Sequence, residues 1–309
     1  WGHLELKNYF GYTGVLNGET AQRVWDLCNE KLRSDPAMSV RGMICGSNVA
    51  MVGTTDDPCS DLAWHEKLSA DGSFAPKVLP SFRPDPAVNL HKAGFADYLR
   101  KLEETVGREI STVEDVRQAL SVRIAFFDAH GCRSADHGLD YVMFRPASDM
   151  AATAALRKAR AGEPLTREEA EGYQTALLLH CAREYARLGW VMQLHFSCMR
   201  NPNTKILKTL GPDTGFDCMA VTDSCSATYR LLDTLEQEAS LPRTVLYSLN
   251  PADNAWIDTL LGAFQSPEIP GKIQHGSAWW FNDHKAGMTE HLTSLANLGV
   301  LGNFIGMLT

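Results

Sequence analysis

The chain has 309 residues, 44% of them hydrophobic, with a formal net charge of −8 and a pI near 5.7. That size is enough for one barrel-sized core or two smaller ones. The acidic balance, without any Lys/Arg run, argues against a nucleic-acid surface, and no apolar stretch approaches the roughly 18 residues that a membrane span needs.

Eight cysteines (Cys28, Cys45, Cys59, Cys132, Cys181, Cys198, Cys218, Cys225) form no Cys-x-x-Cys pair. The spacing is neither a zinc knuckle nor a dense disulfide framework, and it suits a reducing, cytoplasmic setting. The opening "WGHLELKNYF" lacks signal-peptide organisation.

Read in chain order, short apolar runs alternate with amphipathic stretches, which predicts an α/β fold. Strands are expected from about Asn48, Lys77, Gly131, Trp190, Thr244, Lys272 and Asn303, ending in "TTDDP", "SFRPD", "SADHG", "QLHFS", "YSLNP", "GSAWWF" and "GMLT". Helices are expected at "TAQRVWDLCNEKLR", "FADYLRKLEETV", "ATYRLLDTLEQEA" and "MTEHLTSLANLG", the last stopped by a glycine. Ala147 to Leu188, rich in Ala, Leu, Arg and Glu, reads as extra helices, either an insertion or an enlarged crossover.

In a parallel barrel the reactive groups stand at the carboxyl ends of strands. That rule gathers Asp56, Asp57, Arg83, Asp85, Asp136, His137, His195, Arg200, Asn250, Trp279 and Trp280 into one mouth. "DDP", "RPD" and "LNP" are equally turn chemistry, with Asp or Asn capping and Pro opening the next helix. Arg83 is either a bidentate site for a substrate carboxylate or a salt-bridge partner of Asp57 or Asp136. Gln193, His195 and Ser197 are expected on one strand side with Val191. His195 is a candidate metal ligand, against the alternative of a hydrogen-bonded core or substrate-contacting residue. His137, directly after Asp136, is expected on the opposite face, and His65, His91, His180, His284 and His291 at the surface or in a second layer. Trp279 and Trp280 offer either a platform for a sugar face or apolar packing. "GPDTGFD", Gly211 to Asp217, reads as a lid loop; no Walker, dinucleotide or Gly-x-Ser-x-Gly motif occurs.

Nine stretches together resemble the uronate (glucuronate) isomerase family of the amidohydrolase superfamily: "HLELKNYFG", "GTTDDP", "VLPSFRPD", "GCRSADHGLD", "MQLHFSCMRNPN", "LGPDTGFD", "LYSLNP", "GSAWWFNDHKAGM" and "GVLGNFIGMLT". Ser197 departs from the pattern, which usually has Gly there. The resemblance implies a (β/α)8 TIM barrel, here with about seven of eight strands, as one incomplete catalytic domain over 1–309. It implies aldose-ketose isomerisation of D-glucuronate to D-fructuronate and of D-galacturonate to D-tagaturonate. A divalent metal, zinc, would lie at or near His195; Arg83 would bind the uronate carboxylate, with Trp280 and Arg200 also in the substrate site. The catalytic base is left unassigned.

In the family, "GMLT" continues into Asp-Ser-Arg, and a His-x-His precedes "HLEL" within roughly a hundred further residues. No His-x-His occurs here, so a fragment of a longer isomerase is expected. A small-molecule hexuronate is the expected partner, without nucleic acid or membrane, and homo-oligomer formation stays open. A sugar-acid-binding barrel without turnover and a metal-dependent hydrolase of the same superfamily are the alternatives.

Overall fold

The computed structural model describes residues 1–306. The chain divides into two compact units: the smaller comprises Trp1–Thr54 and Leu62–Leu79, the larger Thr55–Asp61 and the chain from Pro80 onward.

In the smaller unit, helices Gly2–Phe10 and Ala21–Ser34 bury Leu6, Tyr12 and Val24 together, with Phe10, Leu27 and Cys28 packed against them. The first helix stops at Gly11, whose φ of 70° is the left-handed conformation glycine adopts at no steric cost. Ser39 caps helix Val40–Gly46 by accepting from Gly42 N. Two parallel strands follow, β1 (Met51–Gly53) and β2 (Lys77–Leu79).

The larger unit is built on a parallel sheet. Its strands are β3 (Ser134–Gly138) and β4 (Val191–Phe196), then, after a short antiparallel pair β5 (Cys198–Met199) and β6 (Cys218–Met219), β7 (Arg243–Ser248) and β8 (Ile273–His275). The order β3-β4-β7-β8 is parallel throughout, and the bridges Asp56↔Phe82 and Phe82↔Ala135 extend the ladder by two further positions. Parallel neighbours need long crossovers. Between β3 and β4 these are helices Asp149–Arg160 and Arg167–Leu188. Each has a defined start: Ser148 caps the first, and Thr166 with Glu169 forms a capping box on the second. The longer one is buried from Ala170 to Leu179, and its Tyr173 hydroxyl donates to Ala87 O at 3.0 Å.

β4 shows the alternation that aims the site. Met192, Leu194 and Phe196 are fully buried on one face; Val191, Gln193 and His195 take the other, less covered face. Behind the sheet, Phe82 meets Phe127 edge-on at 5.1 Å and Tyr185 stacks on Trp190 at 5.7 Å. Such pairs add about 0.5–1.5 kcal/mol each beyond their buried area.

Two expectations change. Ser197 does not continue the β4 face: its φ of 64° turns the chain out of the strand, and its hydroxyl is buried, donating to Asp253 Oδ2 at 3.1 Å. The strand expected from about Asn303 starts instead as a 3-10 turn, Leu301–Asn303, followed by irregular chain to Gly306. The rest of that expected strand lies outside the described residues.

Candidate functional site

The carboxyl ends of the parallel segments converge on a cavity of about 540 Å³ lined by Arg83, Asp85, Asp136, His195, Arg200, Trp279 and Trp280, among others. Arg83 follows Phe82 at the end of a ladder position, and its backbone N donates to Asp56 O at 2.9 Å. Its guanidinium Nε donates to Asp85 Oδ2 at 2.7 Å, while Nη1 lies 3.2 Å from Asp136 Oδ2. The salt bridge expected with Asp136 is therefore present and the one with Asp57 is not. Asp57 serves its turn, accepting from Cys59 N at 2.8 Å, and faces Lys101.

Asp136 joins Arg83 to His195. The strand register sets Asp136 opposite Gln193 and Gly138 opposite His195, so the contact is diagonal across β3 and β4. Asp136 Oδ1 stands 2.7 Å from His195 Nδ1. That is ion-pair distance, though the two atoms are poorly aligned for a hydrogen bond. Burial pushes the Asp136 carboxyl up, yet His195 and then Arg83 outweigh it and hold it below the usual range. Burial likewise works against the Arg83 charge, but Asp85 and Asp136 more than compensate and strengthen its hold on the proton.

The His195 ring is stacked on Tyr247 at 4.2 Å and 9°, and the Trp279 edge meets it at 4.7 Å. Trp280, 41% exposed, carries the Arg200 guanidinium 4.6 Å from its ring centre. Arg200 Nη1 also reaches Asp217 Oδ2 at 3.0 Å and Asp213 Oδ1 at 3.4 Å, which ties the loop read as a lid to the cavity rim.

His137 stands apart from the cavity, fully buried, its Nε2 3.2 Å from the Tyr185 hydroxyl on the opposite face, and burial keeps it neutral by lowering its pKa. Asn250 accepts from Ala252 N and is turn chemistry. Tyr247, which fixes the His195 ring, escaped notice in the sequence because its role depends on β7 pairing with β4. Its place in register with His195 is the signal that a known strand order would have supplied. Lys92 and Cys198 also line the cavity; Lys92 lies away from any candidate strand end, and Cys198 directly follows the one at Ser197.

A family model for glucuronate isomerase matches residues 1–309. The chain belongs to the glucuronate isomerase family. It is 49% identical over 309 residues to a uronate isomerase of Endomicrobium trichonymphae, covering all of this chain and 66% of that one. Among solved structures, uronate isomerase from Thermotoga maritima superposes with a TM-score of 0.91 at 32% identity, covering 99% of this chain and 65% of that one. Glucuronate isomerase from Caulobacter crescentus gives 0.88 at 25% identity, covering 99% and 62%. The chain thus spans just under two thirds of these relatives' length. Its fold is the amidohydrolase-type α/β barrel of glucuronate isomerases.

Glucuronate isomerases belong to a superfamily that is generally metal-dependent. Among the described residues no group of three or more His, Cys, Asp or Glu could hold a metal ion. The unaligned facing atoms of His195 and Asp136 amount to two donors, short of the four that zinc takes. The described residues alone do not make a metal site. Among them, too, no helix is long and apolar enough to cross a membrane.

Proposed function

We propose that the protein interconverts the aldose and ketose forms of a hexuronate, D-glucuronate with D-fructuronate and D-galacturonate with D-tagaturonate. The observation that carries this reading is one carboxylate, Asp136, touching both a guanidinium and an imidazole in the same cavity. A fixed guanidinium suits the sugar's carboxylate; an imidazole suits a proton that must leave one carbon and return to its neighbour. The cavity falls within the roughly 300–1,000 Å³ usual for small ligands.

In this reading Arg83 binds the carboxylate of the open-chain sugar, and Trp279 and Trp280 lie against its carbon face, with Arg200 at the rim. The negative Asp136 beside Nδ1 favours the proton there, leaving Nε2 as the base. His195 removes the C2 proton; the electron pair forms C1=C2 as O1 takes a proton, giving an enediol. Loss of the O2 proton makes the C2 carbonyl while C1 is reprotonated. Asp136 stabilises the imidazolium between the two steps, as a buried carboxylate does beside a catalytic histidine. The divalent metal of the resemblance, zinc, finds two donors among the described residues, His195 and Asp136. Eight free cysteines support a reducing, cytoplasmic setting.

The test is ketose formation from D-glucuronate by the full-length protein, with D-glucose, which lacks the carboxylate, as control. Turnover of the uronate alone is expected; uronate binding without any ketose would overturn the isomerase reading in favour of a binding protein.

A further inference from the structure

Asp85 has two jobs at one carboxylate. Its Oδ2 accepts from Arg83 Nε at 2.7 Å and from Gly138 N at 3.0 Å, and its Oδ1 lies 3.2 Å from the same Gly138 N. Pro84 precedes it and helix Asp85–Val88 starts on it, so its backbone is restrained on both sides. Arg83 is thereby tied to the end of β3 as well as to its own segment. A free arginine side chain loses rotamer entropy when it is fixed. Here that ordering is complete before any ligand arrives.

The geometry also selects which part of the guanidinium is free. Nε is closed by Asp85, so a carboxylate approaching in a two-point fashion has only the Nη1–Nη2 edge, on which Nη1 already lies 3.2 Å from Asp136 Oδ2 and has its second N–H to offer. A Cβ at Gly138 would stand 2.3 Å from Arg83 Nη2 and 3.0 Å from Asp85 Oδ2, so this position must be glycine for the arrangement to exist.

We propose that Asp85 is a positioning residue that holds Arg83 with its Nη1–Nη2 edge toward the substrate carboxylate, in a space kept open by Gly138. This rests on the reading of Arg83 as the carboxylate-binding residue. It differs in sign from a purely electrostatic role: removing a negative charge beside Arg83 would on Coulomb grounds tighten an anion, whereas losing the positioning weakens it.

The experiment is calorimetric binding of D-glucuronate to the full-length protein, its Asp85→Asn and Gly138→Ala variants, and Asp85→Asn placed on Arg83→Lys. Asparagine keeps the volume and one acceptor. Positioning predicts uronate affinity weakened on the order of 10- to 100-fold in Asp85→Asn, at a melting midpoint near that of the parent, and little further loss on the Arg83→Lys background. Gly138→Ala, which pushes the guanidinium from the other side, should show the same loss and serves if Asp85→Asn fails to fold. Unchanged or tighter binding in these variants overturns the assignment, as does an equal loss on both backgrounds. If the parent binds no uronate, the functional reading fails, and this inference with it.

Discussion

Arg83 and His195 divide the work at the level of single residues, and the division is measurable. Arg83→Lys keeps a charge but loses the planar fork and the Nε contact with Asp85. Hydrogen bonds to charged groups contribute roughly 1.5–3 kcal/mol, so KM for D-glucuronate should rise about 10- to 100-fold with a smaller change in kcat. His195→Asn should do the reverse, lowering kcat by about 10²–10⁴ with little effect on KM. Steady-state kinetics of the two variants side by side separate the roles; the same parameter moving in both would contradict them. Residue type and strand-end placement made these two side chains legible in the sequence. The Arg83–Asp136 pair was one of two open alternatives, but its extension to His195 was not legible, because a diagonal contact across β3 and β4 depends on a register that neither strand encodes alone.

At the scale of elements, the corner after β4 decides whether Cys198 and Arg200 face the cavity. Ser197 turns that corner at a φ of 64°, where glycine is unstrained and other residues are costly. What compensates is a buried carboxylate: Asp253 Oδ2 accepts from Ser197 at 3.1 Å and from Ser248 at 2.5 Å, which links the ends of β4 and β7. Ser197→Gly loses the hydrogen bond but relieves the backbone; Ser197→Ala loses both. Thermal melts should therefore rank the parent above Ser197→Gly and Ser197→Ala lowest, the last by about 2–3 kcal/mol. An alanine variant as stable as the parent would remove this account of the corner. Strand alternation up to Phe196 was legible in the sequence; the break was not read, since serine itself favours no left-handed backbone and the glycine usual there in the resembled family was its one sign. The β5–β6 pair escaped for a related reason: two-residue strands are too short to show a period.

For the larger unit as a whole, the buried His291 sets a pH limit. His275 Nδ1 lies 2.7 Å from Asp258 Oδ1, Ser294 donates to Asp258 Oδ2 at 2.5 Å, and His291 packs 4.3 Å from the His275 ring with 3% exposure. Burial, reinforced by His275, pushes His291 down to about 4. Unfolded, it would titrate near 6.5. Below that value the unfolded chain binds a proton that the folded one refuses, so this contribution is complete above about pH 6.5 and declines toward pH 4. Its size is on the order of 3 kcal/mol. Denaturant melts between pH 7 and pH 4 should show that loss, and His291→Asn should flatten the slope; an unchanged slope would exclude His291 as its source. The parallel α/β character of this unit was readable from alternating runs and helices. The His275–Asp258–His291 cluster was not, because its members come from a strand and two helices that only packing brings together.

The most direct test of the whole account is proton NMR of D-glucuronate with the full-length protein in D₂O. Proton removal at C2 by His195, followed by return from an exchangeable site, predicts loss of the C2 proton signal alongside ketose formation, with both abolished in His195→Asn. Ketose formed with the original C2 hydrogen wholly retained at C1, at the same rate in the variant, would contradict it.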